Sequence, residues 1–435
     1  MMGNKMIRTS IFTFFVLSFL HPLFAQTADI HPKLPGEQPD RVVLNVTENI
    51  SSSMAVSWRT NSDVDSSFAQ LAIADAHPAF GQQAETFLAV TQYLEHGELR
   101  ANYHSVIFQN LQPNTQYAYR VGQGANWSEW FHFTTAGSGR PLSLIYFGDV
   151  QTNIHSLWSR TIREAYRRVP DARAVLYAGD LVNRGNRDIE WGDWFLSGGF
   201  IHASIPSMPT PGNHDHADSD RGKYGIAKFW QPQFELPRNG PKNMPEIEET
   251  CYYSDIDNVR IITINTEMFD EKKAIRNAQV KWLEEVLANN PQKWTMLLIH
   301  HPVYSTKRNR DNPELRKAVK PLLDKYKVDL VLQGHDHTYV RGMEKVPMDK
   351  NAVSGTAYVV SVSGPKMSDV LRADWMDRVA GHTQLFHAIK VDGDVLTFET
   401  YTTTGELYDC FELHKVAGST NRFVDRTPIG MPERN

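Results

Sequence analysis

Between residues 39 and 135, apolar residues recur at every second position in short runs. Met54, Val56 and Trp58 share one face of an extended segment, as do Tyr117, Tyr119 and Val121. A period of two is the mark of strands with one buried face. The pattern predicts strands over 42–47, 54–60, 68–74, 85–93, 104–111, 116–121 and 130–134, separated by turn formers. No helical period survives here, so the segment reads as an all-β sandwich. Ala136-Gly137-Ser138-Gly139-Arg140-Pro141 then interrupts the pattern with small and turn-forming residues, which mark a linker.

Beyond the linker the pattern changes. Residues 142–147, 174–178, 260–265, 295–299 and 328–333 form largely apolar runs, as expected of strands buried on both faces. Between them, 157–169, 280–287 and 315–326 follow helical spacing. The last contains Pro321, which is expected to kink or interrupt it. β-rich stretches follow at 356–362 and 385–402. This is the pattern of an α/β domain of layered sheets flanked by helices, with a β-rich C-terminal half. Residues 235–250 read as a long surface loop. The expected division is 39–136 for the sandwich, 141–415 for the α/β domain and 416–435 for a loosely held tail.

The chain has 435 residues, a length that suggests two or three domains at about 150 residues each. Its net charge of −5 gives no reason to expect a nucleic-acid partner. Residues 1–25 carry Lys5 and Arg8, then the apolar run Ile11–Leu20, then Leu23-Phe24-Ala25 before Gln26. That is the layout of a cleaved secretory signal, and it predicts a secreted or periplasmic protein. No other long apolar stretch occurs, so no membrane span is expected after cleavage. The two cysteines, Cys251 and Cys410, are too few for a disulfide framework or a thiolate zinc site. In an exported chain they could form one bridge, or each could serve as a buried hydrophobe.

The candidate chemistry lies where the buried runs end. They lead into Gly148-Asp149, Gly179-Asp180, His300-His301-Pro302 and Gly334-His335-Asp336-His337, and a Pro-rich stretch leads into Gly212-Asn213-His214-Asp215. Ligand sites of open α/β folds form at the carboxyl ends of strands. Two carboxylates, an amide and several imidazoles, with no thiolate, suit Mn, Fe or Zn and fit Ca poorly. A single histidine at a strand end is usually structural. All five motifs in order make a metal site the stronger reading.

Leu111-Gln112-Pro113-Asn114-Thr115-Gln116-Tyr117 resembles the L-x-P-x-T-x-Y signature of fibronectin type III domains, in which the tyrosine hydroxyl ties back to nearby backbone. The five motifs together resemble the calcineurin-like metallophosphoesterase superfamily. With the fibronectin type III-like sandwich ahead of them, the chain resembles the purple acid phosphatase branch in its bacterial form, over about residues 39 to 415. The resemblance implies two divalent transition-metal ions (Fe, Mn or Zn) bridged by Asp180. Asp149 and His337 would hold one, and Asn213, His300 and His335 the other. His214 would face the phosphate or the leaving group, with Asp215 orienting its ring. His301, His216, Arg308 and Arg310 would be outer contacts to phosphate oxygens, although a solvated surface role suits each arginine equally well.

The implied activity is hydrolysis of a small phosphorylated substrate, a phosphomonoester, by in-line attack of a metal-bound hydroxide. The alternative is a phosphodiesterase acting on nucleotides or glycerophosphodiesters. A non-catalytic surface binding protein is a third reading, against which the intact ligand set weighs. The chain departs from the family pattern twice. Asn183 stands where purple acid phosphatases carry a tyrosine three residues after the bridging aspartate, so a purple iron(III)–tyrosine centre is not expected. Gln151 stands where many members of the superfamily have histidine. It is either an amide ligand to the first metal or a hydrogen-bonding neighbour of it.

Overall fold

The computed structural model describes residues 30–216, 225–343, 346–347 and 353–434; the expected signal at 1–25 lies outside them. The N-terminal unit is β-rich, as its alternating pattern requires. One of its sheets contains Phe68–Ile73, Glu85–Leu88, Gln116–Gln123, Asn126–Trp127 and Phe131–Thr134. The opposing layer is Asp40–Asn45, Met54–Asn61, Leu99–Phe108 and Val90–His96. The Gln112 N–H donates to the Tyr117 hydroxyl at 2.8 Å, the tie expected of the Leu111–Tyr117 signature.

Two strand expectations need correction. The run 85–93 is two strands, which change sheets at Ala89. The strand expected from 104 starts at Leu99. Its alternation is disguised by polar residues that are buried and paired. Asn102 donates to the Val64 carbonyl at 3.0 Å, and His104 lies between the hydroxyls of Thr60 and Thr91 at 2.8 and 2.9 Å.

The second unit is built on two sheets. Leu142–Phe147, Ala174–Tyr177 and Ser207–Pro209 run parallel, and antiparallel hairpins from the C-terminal region extend their sheet. Val259–Thr263, Trp294–Leu298, Leu330–Gln333 and Ala357–Val360 form the parallel centre of the other sheet. The double-sided burial read from sequence is visible strand by strand. Trp294, Met296 and Leu298 join the core shared by both sheets. Leu297 and Ile299 point the other way, into the cluster containing helices Lys273–Ala288 and Pro313–Tyr326. Tyr146 stacks on His387 of the adjacent strand at 4.9 Å and donates its hydroxyl across the shared core to the Gln333 carbonyl on the facing sheet.

Pro321 does not interrupt its helix, which runs from Pro313 to Tyr326. Proline there removes one backbone donor, at a cost of about 3 kcal/mol. Burial of Leu315, Val319, Leu322 and Leu323 on the same helix offsets that cost. The tail expected to be loose is built into the fold instead. Arg422–Asp425 pairs with Leu407–His414 as an edge strand, and Glu433 accepts the Val379 N–H at 3.1 Å. The loop at 235–250 is not wholly superficial, because Leu236, Ile247, Glu249 and Thr250 are buried. Cys251 and Cys410 are both free and both buried, so the bridge is absent.

The two units share one sheet. Asn45 pairs in parallel with Ser207, which joins the sandwich layer and the α/β sheet into eleven strands. Beside this seam, the buried Asp188 carboxylate faces Arg41 at 2.7 Å and Arg59 at 3.3 Å, and accepts the His31 N–H at 3.0 Å. Arg59 also pairs with Asp40 at 2.7 Å.

His387 and His202 are each held by burial at a pKa of about 3. The unfolded value is near 6.5, so the unfolded chain binds more protons between these limits, and stability falls as pH drops below 6.5. At pH 5 each ring would cost on the order of 2 kcal/mol. The melting temperature should therefore fall steadily from pH 7 to pH 4, and His387→Gln should flatten that slope. An unchanged slope in the variant would show that His387 is not part of it.

Candidate metal centre

The predicted ligands converge at the carboxyl ends of strands from both sheets. Asp149 follows Leu142–Phe147 and Asp180 follows Ala174–Tyr177. His300 follows Trp294–Leu298, and His335 and His337 follow Leu330–Gln333. Backbone conformation aims several of them. Asp180, His335 and His337 have φ of 51°, 71° and 55°, in the left-handed region that costs non-glycine residues energy. Gly212 is required by crowding, since a Cβ there would lie 2.2 Å from Asp180 Oδ1.

Two donor groups share Asp180. Ligand atoms of Asp180, His300 and His335 lie within 4.8 Å of one another, and so do those of Asp149, Asp180 and His337. In the first group, His300 Nδ1 donates to the Ala178 carbonyl at 2.8 Å, which leaves the Nε2 lone pair facing the site. That Nε2 lies 3.1 Å from Asn213 Oδ1 and 3.1 Å from His335 Nδ1, and the latter two are 3.0 Å apart. Three acceptor-capable atoms therefore meet with Asp180 Oδ1 3.4 Å from the His300 nitrogen.

In the second group, Asp149 Oδ2 is buried with no hydrogen-bond partner and lies 3.1 Å from His337 Nε2. Its other oxygen accepts the His335 N–H at 2.6 Å. A buried carboxylate oxygen without a donor needs a cation. The O/N donor set fits two divalent transition ions, one beside each group, with Asp180 between them. The electrostatics agree with that demand for positive charge. Burial opposes charge on His300, but Asp180 and Asp149 outweigh it and raise its pKa to about 10. Burial, and after it neighbouring groups that include His300 and Arg310, press His335 and His301 well below the ordinary imidazole value.

The remaining expected residues divide clearly. His214 Nδ1 donates to the Asn183 carbonyl at 2.7 Å, and its backbone N–H donates to Asp180 Oδ1 at 2.9 Å. Its Nε2 is thus turned toward the site. Asp215 does not orient that ring. Its carboxylate accepts N–H groups of Gly212 at 2.9 Å and Leu181 at 3.1 Å, tying two ligand loops together. His216 is buried between the Gly212 carbonyl at 2.8 Å and the Asn265 amide at 3.1 Å, which makes it a structural residue. His301 lies against His335, with ring centroids 4.1 Å apart, and is held by the Thr266 hydroxyl at 2.9 Å. Arg310 donates to the His335 carbonyl at 3.0 Å and to Asp336 at 3.1 Å, so it fixes the turn that carries the ligands. Arg308 is exposed.

Gln151 is not arranged as a ligand. Its Nε2 donates to Asp180 Oδ2, while its Oε1 accepts from Lys366 Nζ at 2.6 Å. Lys366 was not anticipated from the sequence. Its ammonium is also 3.3 Å from His214 Nε2. Burial lowers the Lys366 pKa from the ordinary lysine value, with Asp180 and Asp149 acting against that shift. The one signal available was Ser363-Gly364-Pro365-Lys366, a rigid turn directly after the apolar run 356–362.

Fold and site together define a calcineurin-like metallophosphoesterase domain behind a β-sandwich. Residues 39–135 match the purple acid phosphatase N-terminal domain, and residues 142–339 match calcineurin-like phosphoesterase. Acid phosphatase type 7 of Mus musculus is 29% identical over 265 residues, 55% of this chain and 56% of that protein. Acid phosphatase type 7 of Homo sapiens is 28% identical, covering 71% of each chain. The chain spans little more than half the length of the mouse relative. Among solved structures, purple acid phosphatase PPD1 from yellow lupin (Lupinus luteus) seeds superposes with a TM-score of 0.72 at 20% identity, over 87% of this chain and 75% of that one. The chain belongs to the calcineurin-like phosphoesterases and has the two-domain build of the purple acid phosphatases.

The shared carboxylate leads to a direct expectation. Asp180→Ala should take metal content, measured by plasma mass spectrometry after reloading, from about two ions per chain to below one. His300→Ala should leave about one. Full occupancy in Asp180→Ala would remove Asp180 from the bridging role.

Proposed function

We propose that this protein is an exported metal-dependent hydrolase of phosphomonoesters. The observation that carries the reading is the sharing of Asp180 between two donor groups, one of which contains the unpartnered Asp149 Oδ2. Two divalent ions held there would supply Lewis-acid polarisation of the phosphoryl oxygens and a nucleophile at neutral pH. The chain's own residues do the rest. Asp180 sets the spacing of the two donor groups. The Ala178 carbonyl fixes the His300 ring, and Arg310 and Asp336 fix the turn bearing His335 and His337. His214, held by the Asn183 carbonyl, presents Nε2 toward the position of the substrate's departing oxygen.

The test is p-nitrophenol release by the chelator-stripped protein, reloaded with manganese, zinc or iron. The expected result is metal-restored turnover that favours p-nitrophenyl phosphate over bis-p-nitrophenyl phosphate. Preference for the diester would replace this reading with the phosphodiesterase, and no turnover with either would favour the binding-protein alternative. The iron-loaded form should lack a visible charge-transfer band. Supporting this, Asn183 occupies the tyrosine position and engages through its backbone, its N–H donating to Glu190 at 2.7 Å and its carbonyl accepting from His214.

Export rests on the layout of residues 1–25, and among the described residues no helix is long and apolar enough to cross a membrane. Protein recovered from outside the cytoplasm should begin at Gln26 by N-terminal sequencing. An intact Met1 there would overturn cleavage at this site.

A further inference from the structure

We propose that Lys366 is a substrate-binding residue, and that its ammonium holds a terminal phosphoryl oxygen and selects monoesters over diesters. The inference rests on the phosphoesterase reading above and adds a residue and a specificity to it.

The placement of Lys366 is over-determined. The Asp149 carbonyl accepts N–H groups from Ser363 at 3.0 Å and Gly364 at 2.6 Å, and Gly148 N–H donates to the Ser363 hydroxyl at 3.1 Å. Gly364 lies so close to the loop after Asp149 that a Cβ would be 2.1 Å from the Val150 carbonyl oxygen. Pro365 restricts the next backbone torsion. The segment carrying the lysine is therefore stitched to the loop carrying a metal-ligand candidate.

The side chain is then aimed. Its ammonium donates to Gln151 Oε1 at 2.6 Å, and the Gln151 amide donates to the shared Asp180 carboxylate. It also lies 3.3 Å from His214 Nε2. His214 Nδ1 is committed to the Asn183 carbonyl, so Nε2 is the acceptor in that contact. Gln151 and His214 account for two of the three ammonium protons, and the third has no partner among the described residues. A half-buried cation with a remaining donor, beside the group that faces the leaving oxygen, is suited to an anionic ligand. A phosphomonoester dianion has three terminal oxygens, so one would remain for Lys366 if two bound metal ions took the others. A diester has only two terminal oxygens and one negative charge, and gains less from the lysine. Gln151 is a positioning residue here, since it acts through Lys366.

The experiment compares wild type with Lys366→Met and Lys366→Arg, as full-length metal-loaded protein. Inorganic phosphate is the probe, read by its dissociation constant in calorimetry, alongside kinetics on the two p-nitrophenyl esters. Lys366→Met should weaken phosphate binding roughly tenfold or more and raise KM for the monoester in parallel. The loss of kcat/KM on the diester should be smaller by about the same factor, and Lys366→Arg should recover part of the phosphate affinity. Metal content and melting temperature should stay at the wild-type values. Unchanged phosphate affinity in Lys366→Met would overturn the proposal, as would equal losses on both esters or loss of metal. Wild type that binds phosphate through Lys366 but turns over only diesters would sink the monoesterase reading and the selectivity, and leave the lysine's contact standing. Wild type that binds no phosphate would sink both.

Discussion

The fold is organised around a concentration of oxygen and nitrogen acceptors suited to cations. Asp149, Asp180, Asn213, His300, His335 and His337 bring oxygen and nitrogen acceptors within a few ångströms of each other, with Asp149, Asp180, His300 and His337 buried and Asn213 and His335 partly buried. Repulsion among these atoms would push the loops apart, so the rest of the structure has to hold them. It does so through short parallel strands buried on both faces, and through loop-to-loop ties. The Asp215 carboxylate binds the Gly212 and Leu181 N–H groups. Asp336 receives Thr306 at 2.7 Å, Ser305 at 2.8 Å and Arg310 at 3.1 Å. Positive φ at Asp180, His335 and His337 is part of the same cost, concentrated where the chemistry sits.

The same division of labour explains which parts were legible in the sequence. Strands such as Leu142–Phe147 and Trp294–Leu298 are read easily because both faces are apolar and the run ends abruptly in a polar motif. The candidate ligands are read because five motifs occur at equivalent places. Strands whose interior is polar but paired are harder. Leu99–Phe108 hides behind Asn102 and His104, and Tyr339–Met343 contains Arg341, whose guanidinium is buried against Asp409 at 2.8 Å. Asp215 and His216 were given roles at the substrate because they adjoin ligands in sequence, yet neighbours along a tight turn point in different directions. Lys366 was missed for the opposite reason. It lies 151 residues beyond Asp215 in the chain and reaches the site only because the two sheets close on each other.

Between those sheets the core is not purely apolar. His387 lies between the Ser361 and Thr400 hydroxyls and is stacked on Tyr146 and Tyr339. Tyr339 donates to Asp409 at 2.6 Å. Hydrogen bonds of this kind fix one register of sheet against sheet, which oily side chains alone leave loosely specified. A ligand set drawn from both sheets depends on that register. Sliding one sheet over the other would separate the strand ends that now meet at the centre.

The Asn45–Ser207 pairing changes what the N-terminal sandwich is to this molecule. A module joined only by a linker can be deleted, swapped or moved to another protein. Here the sandwich supplies the neighbour for Ser207–Pro209, so removing it would bare a strand edge a few residues before Asn213. Bare edges recruit other chains. The two units should therefore be inherited, expressed and engineered as one piece, and a catalytic fragment trimmed at the linker would be expected to aggregate.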